Sequence, residues 1–135
     1  MPLLRADTLP VRSDEDVVRV RQKVRQWATE LDFSLVEQTK VVTAASELAR
    51  NTLIHGGGGE AILEIHAEGT RRKGLRLIFQ DNGPGIPDIE RAMTDGYTTG
   101  DGLGLGLSGA RRLSNDFDIR SEGGAGTRVT ITRWK

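Results

Sequence analysis

The chain has 135 residues, with 19 Lys and Arg against 19 Asp and Glu, so it carries no basic field to hold a nucleic acid or a membrane surface. Hydrophobic residues make up 36%, and the 17 glycines bring the apolar share to about half, inside the globular range of ~45–50% that argues against disorder. There is no cysteine, and His55 and His66 stand in no metal-binding spacing, which excludes disulfides, thiolate chemistry and a His/Cys metal centre.

Residues 3–11 mix apolar and polar positions around Pro10, which cannot donate to a ladder, so a strand here belongs at a sheet edge. Ser13 with Asp16 three residues on is a helix start, and Val17, Val20, Val24, Trp27 and Leu31 follow at helical spacing, predicting a helix over 14–31. Ser34 with Glu37 repeats the signal. Val41, Ala44, Ala45, Leu48 and Leu53 then carry an apolar face until the run Gly56–Gly59, predicting a second helix over 35–55. Ala61–His66 and Leu75–Phe79 read as two strands of a hairpin closed by 69–74, with Arg71-Arg72-Lys73 as an exposed, solvated tip. Pro84 and Pro87 break the chain before a short helix over 88–95 and a Gly/Thr-rich stretch, 96–106, that cannot be packed core. A helix over 105–115 and strands at 117–121 and 127–133, around the turn 123–126, complete the order. The sum is an α+β fold with helices on one face of a mostly antiparallel sheet. The length fits one domain over 1–135, and no secretory or membrane-spanning apolar run occurs, so a soluble, cytoplasmic protein is expected.

The glycines cluster at 56–59, 83–85, 100–109 and 123–126, all at element ends, where backbone turns tightly or approaches a ligand closely. Loops of this kind converging on one face point to a phosphate or nucleotide site. Glu47 and Asn51 stand one turn apart on the second helix, about 6 Å along its axis, on one face. A carboxylate beside a carboxamide can serve as a base next to a metal ligand, although spacing alone favours a solvated helix face. Asp81-Asn82-Gly83-Pro84-Gly85 closes an apolar strand with an acceptor for a ligand N–H, or with an ordinary Asp-started turn. Gly102-Leu103-Gly104-Leu105-Gly106-Leu107 opens a helix about twenty residues later, where backbone N–H groups meet phosphate. Gly104, Gly106 and Gly109 satisfy a dinucleotide fingerprint only formally, because no strand or βαβ unit surrounds them, and no Gly-Lys-Ser/Thr P-loop exists. His55 reads as a helix-end residue and Trp134 as either a packing or a partner-anchoring residue, while Ser46, Ser108 and Ser114 form no recognisable triad.

Taken in order, Ser46-Glu47-Leu48-Ala49-Arg50-Asn51, Asp81-Asn82-Gly83-Pro84-Gly85-Ile86-Pro87, Gly102-Leu103-Gly104-Leu105-Gly106-Leu107 and Gly124-Ala125-Gly126-Thr127 resemble the GHKL ATPase superfamily. Within it the chain looks most like the RsbT-type serine/threonine kinases, the small switch kinases of bacterial partner-switching pathways. The likeness includes Asp95-Gly96-Tyr97-Thr98-Thr99 and the terminal Arg133-Trp134-Lys135, and Thr52-Leu53-Ile54-His55-Gly56 favours this branch over the sigma-factor-binding relatives.

The resemblance implies a two-layer α/β sandwich of the Bergerat type, with ATP between helices and sheet under a lid formed by residues 88–101. It implies Asn51 as the Mg²⁺ ligand, Glu47 as general base and Asp81 as acceptor of the adenine amino group. Gly83 and Gly85 would lie beneath the base, Thr127 would contact adenine, and Gly102, Gly104 and Gly106 would follow the phosphates. The implied activity is phosphorylation of a STAS-domain antagonist with Mg-ATP, followed on release by binding of an output partner such as a PP2C-type phosphatase. The alternative is an anti-sigma factor kinase that sequesters a sigma factor. No dimerisation helix with a phospho-accepting histidine precedes the domain, which sets a histidine kinase aside.

Overall fold

The computed structural model describes residues 3–69, 72–83, 106–122 and 126–135. In chain order these form β1 (Leu3–Val11), α1 (Asp14–Glu30), α2 (Leu35–Ile54), β2 (Gly59–Glu68), β3 (Arg72–Asp81), α3 (Gly106–Arg112), β4 (Asp116–Glu122) and β5 (Gly126–Trp134). The helix expected over 88–95 and the turn residues Gly123, Gly124 and Ala125 lie outside the described residues. The strands make one sheet in the order β1-β2-β3-β5-β4, and every described pairing is antiparallel. The α+β expectation holds, with β1 at the edge where Pro10 requires it.

Both long helices start as their sequences specify. Ser13 Oγ accepts the Asp16 N–H at 3.2 Å, and Asp14, Glu15 and Asp16 face the positive end of the α1 dipole. In α2 the capping box is complete: Ser34 Oγ accepts the Glu37 N–H at 3.1 Å, and Glu37 Oε1 accepts the Ser34 N–H at 3.3 Å. Between the helices Asp32 takes φ 60°, and the Phe33 N–H reaches back to Ala28 O at 3.0 Å. This is a Schellman-type stop with aspartate where glycine is usual.

The period-two pattern of the sheet sends Ala61, Leu63, Ile65, Leu75, Leu77, Phe79, Val129 and Ile131 toward the helices, where all are buried. They meet Val20, Val24 and Trp27 of α1 and Ala44, Ala45 and Leu48 of α2 in one apolar cluster. Leu107 and Ala110 of α3 join it, and α3 packs on α2. The edge strand is held to α1 by charge as well: Arg5 pairs with Glu30 at 2.7 Å, with its guanidinium 4.2 Å from the Trp27 ring centroid, and Asp7 pairs with Lys23 at 2.9 Å.

Two expectations are corrected. The turn is shorter than 69–74, because β3 already begins at Arg72 and pairs Arg72 with Glu68, Lys73 with Ala67 and Gly74 with His66. Trp134 explains the extension. Its ring lies on Gly74, where an added Cβ would stand 2.5 Å from Cε3, and the Arg72 guanidinium sits 4.3 Å from the ring centroid. The indole N–H donates to Asp116 at 2.9 Å, so Trp134 is a packing residue and Arg72 is not a free tip. The helix expected to reach 115 ends at Arg112, since the Asn115 N–H has already joined Thr132 O at 2.9 Å and Asn115 Oδ1 accepts the Trp134 N–H at 2.7 Å.

Asp32→Gly is expected to raise stability by a few tenths to about 1 kcal/mol in denaturant melts, because relief of the left-handed conformation outweighs the added freedom of the unfolded chain. The hydrogen bond from Lys23 is the main cause that lowers the Asp7 pKa below its ordinary value. A depressed folded pKa gives stability that is present above the unfolded value and lost as pH falls through the folded one. Lys23→Ala should therefore cost under ~1 kcal/mol at neutral pH, this being a partly exposed pair, and the deficit should vanish as the pH drops below the ordinary carboxylate range.

Candidate functional site

The expected site residues gather where α2 ends against the C-terminal end of β3. Asp81 is the last residue of β3 and lies in register with Gly59 of β2 and Thr127 of β5. Two residues beyond Phe79 and two before Val129, Asp81 and Thr127 both take the helix-facing side of the sheet. Both are half-buried. Asp81 Oδ1 accepts the Gly83 N–H at 2.9 Å, a short local turn that brings Gly83 back under the strand end. The Thr127 hydroxyl stands 3.1 Å from that of Ser121, which also donates to Gly126 O at 3.1 Å.

Bare backbone makes this convergence possible. At Gly56 an added Cβ would fall onto Cγ and Oδ2 of Asp81, and at Gly126, where φ is 86°, onto the Asp81 carbonyl. A Cβ at Gly83 would stand 2.8 Å from both Cα and O of Gly56. Asp81 is thus enclosed by chain segments from three elements that carry no side chain. A cleft of about 610 Å³ opens at the strand ends, with Arg12, Gly59, Asp81, Ser121, Gly126 and Thr127 among its walls.

Glu47 and Asn51 lie on α2, away from those walls, and connect to them through the helix end. Asn51 O accepts the N–H groups of His55 at 2.9 Å and Gly56 at 3.2 Å, and Gly56 then rests on Asp81. Glu47 is buried, at 8% exposure, among a core of Val, Leu and Ala, and Asn51 is half-buried one turn on. Among the described residues neither side chain is engaged in a hydrogen bond, so a carboxylate and a carboxamide keep their acceptor capacity on one helix face. A solvated face, the plainer reading of the spacing, does not fit the burial of Glu47. No group of three or more His, Cys, Asp or Glu able to hold a metal occurs among the described residues.

Gly106 is the first residue of α3, whereas Gly85, Gly102, Gly104 and the stretch 88–101 lie outside the described residues. The structure thus brings Asp81, Gly83 and Thr127 together and links them to Asn51 and Glu47. Reading Gly56–Gly59 only as a helix stop leaves out Gly56, whose signal in the sequence is the excess of glycine: the positive φ angles that end α2 fall on Gly57 at 72° and Gly58 at 101°. His55 is the C-cap, as expected.

Residues 36–135 match the family described as histidine kinase-, DNA gyrase B-, and HSP90-like ATPase. The serine/threonine-protein kinase RsbT of Bacillus subtilis is 43% identical over 124 residues, spanning 92% of this chain and 92% of that protein. The anti-sigma F factor of Clostridium kluyveri is 36% identical over 117 residues, 84% of this chain and 82% of its own. The solved structure of the RsbU and RsbW domains of Rv1364c from Mycobacterium tuberculosis superposes with a TM-score of 0.61 over 98% of this chain and 32% of that longer one, a likeness of fold at 21% identity. This chain belongs to the histidine kinase-, DNA gyrase B- and HSP90-like ATPase family.

Proposed function

We propose that the chain is a serine/threonine-protein kinase of a partner-switching pathway, one catalytic domain over 1–135 that passes the γ-phosphate of ATP to a hydroxyl on a STAS-domain antagonist. The observation that carries the reading is the 43% identity to RsbT across 92% of both chains, together with Glu47 and Asn51 sharing one face of the helix that ends on Asp81. On release from the antagonist the kinase binds an output partner such as a PP2C-type phosphatase. It needs neither nucleic acid nor a membrane and works in the cytoplasm; no helix among the described residues is long and apolar enough to cross a membrane.

In this reading each residue does what its chemistry allows. Asp81 is acceptor-only and receives the exocyclic N–H of adenine, with Thr127 beside it and the loop of Gly83 and Gly85 beneath the ring. The Asn51 carboxamide oxygen holds Mg²⁺, which supplies positive charge against the phosphates. Gly102, Gly104 and Gly106 offer N–H groups to the phosphate chain, and residues 88–101 cover it. Glu47, one helical turn from Asn51 at about 1.5 Å of rise per residue, takes the proton of the incoming seryl or threonyl hydroxyl. Charge and positioning do the catalysis, since phosphoryl transfer asks little covalent chemistry of the protein.

The 36% identity to an anti-sigma F factor supports a second reading, a kinase that also sequesters a sigma factor. Labelled γ-phosphate transfer to STAS-domain proteins tests the kinase activity common to both readings, and complex formation with a sigma factor separates them. Glu47→Ala is expected to lower the transfer rate about 10²–10⁴-fold while ATP still binds, the range typical of a lost general base. Asn51→Ala should abolish the dependence of binding on Mg²⁺. Transfer that survives Glu47→Ala removes Glu47 as the base and the kinase mechanism with it, and a stable complex with a sigma factor selects the second reading.

A further inference from the structure

The side chains one residue away from Asp81 and Thr127 point to the other face of the sheet, turned away from the helices. In register they read Glu60, Gln80, Arg128 and Arg120 across β2, β3, β5 and β4, and all four line the cleft at the strand ends. The first two satisfy each other, since Gln80 Nε2 donates to Glu60 Oε1. The last two repel. Arg120 and Arg128 are direct cross-strand partners, which sets their Cβ atoms about 5 Å apart, and like charges placed so destabilise a sheet. Asp118 Oδ2, 3.2 Å from Arg120 Nε, offsets one of the two charges from an exposed position. Among the described residues the Arg128 guanidinium has no hydrogen bond or ion pair. The other acids on the cleft do not reach it: Glu60 stands two strands away and is engaged by Gln80, and Asp81 lies on the opposite face with the Gly83 N–H on its Oδ1.

We propose that Arg120 and Arg128 form a binding site for a phosphoryl group on the sheet face opposite Asp81. Two planar guanidinium groups side by side present more donors than one carboxylate can accept, and their charges match the dianion of a phosphate monoester. Binding relieves a repulsion that the empty site carries, so the pair costs stability without the ligand and returns it with the ligand. Arg12 lines the same cleft but follows β1, three strands from Arg128 and about 14 Å away at ordinary sheet spacing. One phosphoryl group held by the pair does not extend to it. The group arrives either on a small phosphate compound or on a phosphorylated side chain of a protein, and the recognising chemistry is the same for both.

The test follows thermal unfolding and the arginine Nε–H resonances of the whole chain in inorganic phosphate and in chloride of equal ionic strength, for the wild type, Arg128→Gln and Arg12→Gln. In chloride, Arg128→Gln is expected to melt roughly 1–4 °C above the wild type, because the cross-strand repulsion is gone. Arg12→Gln, with no arginine opposite it, gains nothing. Phosphate should then raise the wild type and Arg12→Gln more than Arg128→Gln, and its Kd, read from the Arg120 Nε–H shift, should weaken about ten-fold or more in Arg128→Gln. A general effect of phosphate on folding, or its binding at the nucleotide site, raises all three proteins equally, and that result overturns the proposal. So does an Arg128→Gln variant that is less stable than the wild type and responds to phosphate unchanged, which marks a packing role. Equal losses of affinity in Arg12→Gln and Arg128→Gln show a diffuse field in place of a site, and succinate bound as tightly as phosphate removes the phosphoryl assignment. A short neutral peptide with one phosphoserine, titrated in parallel, separates the sources. Binding ten-fold tighter than inorganic phosphate supports the site with a phosphorylated protein as its ligand, and equal binding supports it with a small phosphate compound.

Discussion

Everything at the site depends on one close approach, that of the C-terminal end of α2 to the end of β3. Helices normally meet sheets through side chains, with backbones held about 10 Å apart by their packing. Here Gly56 and Gly126 let main chain lie directly on Asp81, and Gly83 lets it close on Gly56. The carboxylate is pinned between elements that are distant in sequence, and its freedom to reorient is removed by exclusion more than by bonding. An acceptor fixed in this way costs little to organise when a donor arrives, which is the usual origin of tight recognition by a small number of polar groups.

The remainder of the fold serves that approach. The central strands β3 and β5 present Asp81 and Thr127 as register partners, and the same ladder buries Phe79 against Val129 and Leu77 against Ile131 behind them. The apolar face of α2, with Ala44, Ala45, Leu48 and Ala49 fully or almost fully buried, holds the helix down on the sheet. Small residues at those positions bring the axis close enough for the helix end to touch the strand end. Burial of Glu47 on that helix follows from the same closeness.

Much of this was legible in the residues. Ser13, Ser34 and Glu37 announce the helix starts, Pro10 an edge strand, and the alternation around Leu75, Leu77 and Phe79 the face that packs, because each of these signals acts over a few neighbouring residues. The pairing of Glu47 with Asn51 is equally local. What the sequence could not display is what depends on distant partners. Gly74 reads as a turn glycine until Trp134, sixty residues later, is found lying on it, and the strand then runs on to Arg72. Likewise Gly56 looks like one more helix stop until Asp81 is brought against it. The burial of Glu47, which does not fit a solvated face, is also a property of the assembled layers alone.

The edge strand is held differently from the rest of the sheet. On the helix side of β1, Arg5 and Asp7 occupy positions that in the central strands belong to Leu or Ile, and they grip α1 through Glu30 and Lys23. These pairs lie at the surface, with side chains 31–46% exposed, where the screening length at physiological ionic strength is about 8 Å and falls to about 3 Å at 1 M. The core beneath β2 and β3 is indifferent to added salt, whereas the seam between β1 and α1 is not. Ionic strength therefore acts locally on this molecule: it weakens the grip of β1 on α1, while the hydrogen-bond ladder of β1 to β2 and the buried Val11 keep the strand in the sheet.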